Sequence, residues 1–241
     1  MIELYAAGSL KTALTEMTRA YEAAGGERIE AKFGPSGLLK DELAGAGRTC
    51  VFASANMAHP RALHDAKLSG PVTRSARNTL CALVRPGLHV DTANLLHRML
   101  DTQVKLATST PKADPSGDYA FEVFRKADAI QPGARATLEA KALQLTGRKD
   151  SAAPPADRNV YGWHVAEGRA DIFLTYCTNV LVALQQFPGQ QRVDLPHALA
   201  VSADYGLTVM NGAPPAEQRF ADYIVSPEGQ TILARHGFVP G

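Results

Sequence analysis

Ile2-Glu-Leu-Tyr-Ala-Ala-Gly-Ser-Leu10, continued through Lys11-Thr-Ala-Leu-Thr-Glu-Met-Thr-Arg-Ala-Tyr-Glu-Ala-Ala24 to Gly25-Gly26, decides the fold class. Ile2–Ala7 is a short apolar run that stops at Gly8, which reads as a strand. Leu10, Leu14, Met17 and Tyr21 then recur at helical spacing until the glycine pair ends them. Working outward, Arg28–Phe33 alternates, with Ile29, Ala31 and Phe33 on one side, and breaks at Gly34-Pro35. Leu38–Leu43 reads as a helix stopped at Gly45, and Cys50–Ala55 as the next strand. This βαβαβ order predicts an α/β fold with a parallel sheet and helices packed on it.

The alternation continues. Leu80–Val84 and Val104–Thr108 read as strands, Ala120–Ala129 and Thr137–Leu145 as helices, and Lys149–Asp157 as a loop. Val160–Glu167 reads as a helix closed by Gly168, Asp171–Tyr176 as a strand, and Gln191–Val209 as extended segments. The chain ends with helices over Pro215–Ile224 and Glu228–Arg235. Between them Ser226 is a natural N-cap, with Pro227 at the first helical position.

The 241 residues are enough for one large or two smaller domains. Lys plus Arg number 25 against 24 for Asp plus Glu, and a net charge of +1 gives no electrostatic footprint for nucleic acid or an anionic membrane. No apolar run is long enough to span a bilayer. The first strand starts at Ile2 with no leader ahead of it, which reads as a trimmed mature chain or a cytosolic one. Cys50, Cys81 and Cys177 form no Cys-x-x-Cys and read as buried free thiols; a disulfide requires an oxidising compartment.

The informative residues stand where strands turn into helices. Helix N-termini expose unpaired N–H groups and a partial positive charge, and in open α/β sheets ligands bind at the carboxyl ends of the strands. Four junctions qualify: Ala7-Gly8-Ser9-Leu10, Gly34-Pro35-Ser36-Gly37, Asp114-Pro115-Ser116-Gly117-Asp118-Tyr119 and Arg158-Asn159-Val160. Tyr176 ends a strand and could supply a hydroxyl donor. Each has an ordinary explanation as well: serine is a favoured N-cap on any helix, and Pro-Ser-Gly is a common turn.

At these residues the chain resembles the periplasmic molybdate-binding proteins, which have the type II periplasmic-binding-protein fold. The opening Ala7-Gly8-Ser9-Leu10, the Ser36-Gly37 helix start, Val51–Ala55, Pro115-Ser116-Gly117-Asp118-Tyr119 and Tyr176-Cys177-Thr178-Asn179 carry the resemblance, and the tail Phe220–Phe238 is similar to the C-terminal helix pair of this fold. The resemblance implies an oxyanion, molybdate or tungstate, held by neutral donors: the hydroxyls of Ser9, Ser36 and Tyr176 and the N–H groups of Ser116 and Val160. It implies no metal ligand and no cofactor. Asp114 and Asp118 depart from it, since two carboxylates beside an anion are unfavourable unless they face away.

The resemblance also implies two lobes with mainly parallel sheets. One comprises residues 1–80 and 198–241, the other residues 81–197, with two crossovers near Asn78–Val84 and Asp194–Ala200 as hinges. It implies a monomeric periplasmic receptor that delivers its ligand to the membrane permease of an ABC importer. Sulfate or another tetrahedral anion is the alternative ligand. A cytosolic anion-sensing module is the alternative role, although the chain carries no helix-turn-helix segment. An enzyme is disfavoured. Cys177 would need His164 or another histidine in reach to form a nucleophile pair, His59 and His64 are spaced wrongly for a helical metal pair, and Gly34–Lys40 lacks a P-loop's ending.

Overall fold

The buried run Ile2–Ala7 forms β1, and its burial is nearly continuous, as a strand covered on both faces requires. A 3-10 turn, Gly8–Leu10, leads into α1 (Lys11–Ala23), which buries Ala13, Leu14 and Met17. β2 (Ile29–Gly34), α2 (Ser36–Ala46), β3 (Val51–Ser54) and α3 (Ala58–Asp65) follow. β1 pairs in parallel with β2 and with β3, so the βαβαβ reading holds. The alternation read in β2 has no buried face: its residues are exposed or half-buried, because β2 is the edge strand. The structure, a computed structural model, describes residues 1–241 except for the side chain of Ala46.

β4 (Thr73–Val84) carries the chain out of this first unit, which comprises Met1–Asn78 and Ala203–Gly241, into a second, Thr79–Ser202. The second unit contains α4 (Leu95–Leu100), β5 (Leu106–Ser109), α5 (Pro115–Ile130), α6 (Ala134–Lys141), β6 (Leu143–Thr146), α7 (Val160–Ala166), β7 (Ile172–Tyr176), α8 (Cys177–Gln186) and β8 (Gln191–Asp194). β5 pairs in parallel with β6 and β7, while β4 pairs antiparallel with β7 and β8. The chain returns through β9 (Ser202–Val209), antiparallel to β3, and ends in α9 (Pro215–Val225), α10 (Pro227–Arg235) and β10 (Val239–Pro240), which pairs with β4. The unit boundaries fall at 78/79 and 202/203, against the expected 80/81 and 197/198.

Ser226 caps α10 as read: its Oγ accepts from the Gly229 N–H at 3.3 Å, with Pro227 leading the helix. One helix reading is corrected and one helix is added. Leu143–Leu145 is strand rather than helix, because it pairs with β5 (Ala107 opposite Leu143), and tertiary pairing overrides local periodicity. Cys177–Gln186 is a helix that the sequence reading did not include. The cysteines also differ. Cys50 is a buried free thiol, whereas Cys81 and Cys177 form a disulfide with a Cα–Cα distance of 4.9 Å. Antiparallel pairing of β4 with β7, Leu80 opposite Tyr176, brings the two together across 96 residues of sequence.

Candidate functional site

In the first unit the parallel strands β1, β2 and β3 end at Ala7, Gly34 and Ser54, and each is followed at once by a residue of interest. The register places Ala7 beside Gly34, so Ser9 and Ser36 open helical segments at neighbouring strand ends. Ser36 is the first residue of α2. Its N-cap is Pro35, which has no side-chain acceptor. The Ser36 Oγ, buried at 1% exposure, accepts from the Ala55 N–H at 3.0 Å, and its own proton is left for another acceptor. This contact joins the turn after β2 to the turn after β3.

Ser9 lies in the 3-10 turn, and its Oγ is 2.9 Å from the hydroxyl of Tyr205 on β9. Tyr205 is fully buried and its oxygen also accepts from the Asn78 Nδ2 at 3.2 Å. When Tyr205 donates to Ser9, the Ser9 proton points away from this pair. Neither serine caps its own helix, so the ordinary explanation for serine at a helix start does not account for them.

The second unit gathers its polar groups at the ends of β5 and β7. Asp114 caps α5 by accepting from the Ser116 N–H at 3.0 Å, so that N–H, expected to face an anion, is already taken. The Ser116 hydroxyl donates to Thr175 Oγ1 at 3.4 Å. Asn159 caps α7 through the Gly162 N–H at 2.9 Å, two residues past Val160. Tyr161 is adjacent to Val160, and its ring stands edge-on to Phe173 at 5.1 Å; burial, first, and the nearby Asp114 hold its phenol well above the usual range. Asn179 Nδ2 donates to Thr175 Oγ1 at 2.9 Å, and Asn159 Nδ2 donates to the Asn179 carbonyl at 3.3 Å. Thr175 thus links the starts of α5 and α8 just before Tyr176, and Asn159, the cap of α7, is tied to α8 through the Asn179 carbonyl. Tyr176 is 1% exposed, its ring edge-on to Tyr119 at 6.2 Å.

The two flagged carboxylates are both turned onto backbone: Asp114 onto Ser116 and Asp118 onto the Lys112 N–H at 2.8 Å. Desolvation pushes Asp114 up to about 6 and also raises Asp118. Thr175 and Tyr205 escaped the sequence reading. Thr175 acts on Ser116 and Tyr205 on Ser9, each from a distant part of the chain, and no local pattern marks them. Among the described residues, Cys81, Cys177 and Asp194 are one group with metal-ligating atoms within 4.8 Å of one another, but the disulfide removes both sulfurs as thiolate ligands. Among the described residues no helix is long and apolar enough to cross a membrane.

Comparison with known proteins gives this geometry a context. An uncharacterized protein of Pasteurella multocida (strain Pm70) is 31% identical over 242 residues, covering 99% of this chain and 98% of that protein. Among solved structures, the periplasmic molybdate-binding protein of Azotobacter vinelandii matches with a TM-score of 0.79 at 17% identity, covering all of both chains. The sulfate-binding protein SubI of Mycobacterium tuberculosis H37Rv matches with a TM-score of 0.77 at 17% identity, over 99% of this chain and 86% of that one. At these identities the structural likeness is one of fold. The profile of the bacterial extracellular solute-binding proteins matches residues 2–239, and the chain belongs to that family.

Proposed function

We propose that this chain captures a small tetrahedral oxyanion, molybdate or tungstate foremost, and delivers it to the membrane permease of an ABC importer. It does so as a periplasmic monomer, without catalysis, metal or cofactor. The observation that carries the reading is Ser36: a buried hydroxyl at the first position of a helix whose N-cap offers no acceptor, with its proton uncommitted. Ser9 offers the same chemistry at the neighbouring strand end. Helix starts left open in this way favour an anion through both N–H groups and the helix dipole. Neutral donors suit a carrier, since they bind a dianion without the grip of a buried countercharge. The disulfide fits an oxidising compartment, and so an extracytoplasmic receptor rather than a cytosolic sensor. The neighbours named for molybdate and for sulfate both handle tetrahedral dianions, which makes sulfate the second candidate.

The test is a thermal-shift panel of molybdate, tungstate, sulfate and phosphate on protein stripped of ligand, followed by calorimetry. A ligand at about 100 times its Kd stabilises by about 2.7 kcal/mol, a readily measured shift. Stabilisation by molybdate and tungstate that is lost in Ser9→Ala/Ser36→Ala supports the proposal. Stabilisation by sulfate alone reassigns the ligand, and a flat panel removes the oxyanion.

A further inference from the structure

We propose that the Cys81–Cys177 disulfide is a positioning element for anion binding: it fixes the Tyr176–Asn179 turn, so that the oxidation state of the pair sets the affinity. This rests on the oxyanion reading above. Cys177 is the residue that follows Tyr176 and the first residue of α8, and it is tied to β4 at Cys81. The other two helix starts at this end of the unit are fastened by their own caps, α5 by Asp114 and α7 by Asn159. α8 has no side-chain cap from Tyr176, and the covalent link stands at the place a cap would serve.

What the link holds is polar. Thr79 Oγ1 lies 3.2 Å from the Cys177 sulfur, Asn179 donates to Thr175, and the Asn179 carbonyl receives Asn159, the cap of α7. A shift of the α8 start therefore moves Tyr176 and disturbs Thr175, to which Asn179 and the Ser116 hydroxyl are bonded. A purely structural disulfide acts differently. It closes a long loop, constrains the unfolded chain and raises stability with or without ligand, leaving Kd unchanged.

Reduction by a dithiol breaks the S–S bond. Two electrons and two protons pass to Cys81 and Cys177, and the reductant is left as its cyclic disulfide. The experiment compares oxidised protein, protein reduced with dithiothreitol and then reoxidised, and Cys81→Ser/Cys177→Ser. Far-UV circular dichroism checks the fold, calorimetry with molybdate and sulfate gives Kd, and hydrogen exchange follows the amides of residues 176–179. The double variant, which keeps Cys50, controls for effects of the reductant elsewhere.

The expected result is a Kd weakened roughly tenfold, the scale of one hydrogen bond to a charged group, in the reduced and variant proteins. It is restored by reoxidation and accompanied by faster exchange concentrated at residues 176–179. Unchanged Kd with a lower melting temperature overturns the proposal and leaves the disulfide a staple. If the oxidised protein binds neither anion, the oxyanion reading fails by itself. Exchange then decides the positioning: faster exchange confined to residues 176–179 upholds it, and uniform or unchanged exchange across the unit overturns it.

Discussion

The Asp114 carboxylate accepts the Ser116 backbone N–H at 3.0 Å, so the start of α5 is filled by an anion of its own chain. A helix N-terminus attracts negative charge, and here that attraction is met internally. Desolvation nevertheless dominates and pushes Asp114 up to about 6, aided by the like charge of Asp118 and opposed by the Ser116 N–H and the Ser109 hydroxyl. Near neutral pH this end of the second unit thus holds a carboxylate at the limit of protonation.

Anion binding is expected to be proton-linked through Asp114. The protonated form removes a negative charge from the surroundings of Ser116, so affinity should tighten as pH falls from 8 through about 6. Stability follows the same group. The folded state holds the proton more tightly than the unfolded chain, whose carboxyl titrates near 3.8, so the contribution is complete below that value and is lost as pH rises to about 6. Asp114→Asn keeps an acceptor for the Ser116 N–H and removes the charge. It should melt higher than wild type at pH 7.5, by about 2–4 °C for each kcal/mol gained, and its Kd should no longer vary with pH between 8 and 5.5. Melting curves and calorimetry over that range check both.

Tyr205→Phe should weaken anion binding severalfold while leaving Ser9 and Ser36 in place. The Tyr205 hydroxyl is the partner that orients Ser9, and it accepts from Asn78 in the buried centre of the first unit. Its loss leaves Asn78 Nδ2 without this acceptor, at a cost of about 1–3 kcal/mol in stability. Urea unfolding measures that cost and calorimetry the change in Kd. Equal Kd in variant and wild type would show that Ser9 needs no orientation by Tyr205.

How much was legible follows from how local each signal is. Ser9 and Ser36 could be read because strand, small turn residues and amphipathic helix follow one another within about a dozen residues. The tail could be read for the same reason: Ser226 and Pro227 announce α10 directly. The Tyr205–Ser9 pair spans 196 residues and the disulfide 96, and neither leaves a local trace. Leu143–Leu145 was misread because its strand character comes from β5 alongside it. The second unit's polar network was invisible for a related reason: Thr175 looks like an ordinary strand residue until the starts of α5 and α8 converge on it.

Gly117→Ala should be among the most destabilising small substitutions in the chain. A Cβ built on Gly117 meets Ser109 O at 2.5 Å, Thr110 C at 2.6 Å and Pro111 N at 2.7 Å, all backbone. Backbone cannot rotate aside as a side-chain end can, so α5 must move off the end of β5. The expected cost is about 1–3 kcal/mol or more, on the scale of overpacking a core. Gly8→Ala is the contrast, since a Cβ there has nothing within 4 Å. If chemical denaturation finds the two variants equally stable, the close approach of α5 to β5 is refuted.

His164 should make the protein acid-sensitive before its carboxylates do. The ring is 1% exposed, next to Trp163 and stacked at 6.2 Å on Phe173, while Arg169 lies over Trp163. Desolvation, then the Arg169 charge, depress its pKa to about 4, against the opposing Leu145 carbonyl. In the unfolded chain a histidine takes up its proton near 6.5, so the folded state is favoured in full above that pH. This advantage is lost as pH falls from 6.5 to about 4, and below that value the loss is complete. Asp114 works in the opposite sense over nearly the same window, so the two must be separated by substitution. His164→Leu, which keeps an apolar ring-sized filling and does not titrate, should flatten the decline below pH 6.5, and in Asp114→Asn the decline should steepen. A urea midpoint series from pH 4 to 8 on the three proteins checks this. A His164→Leu profile that still falls with the wild-type slope would assign the acid sensitivity to another group.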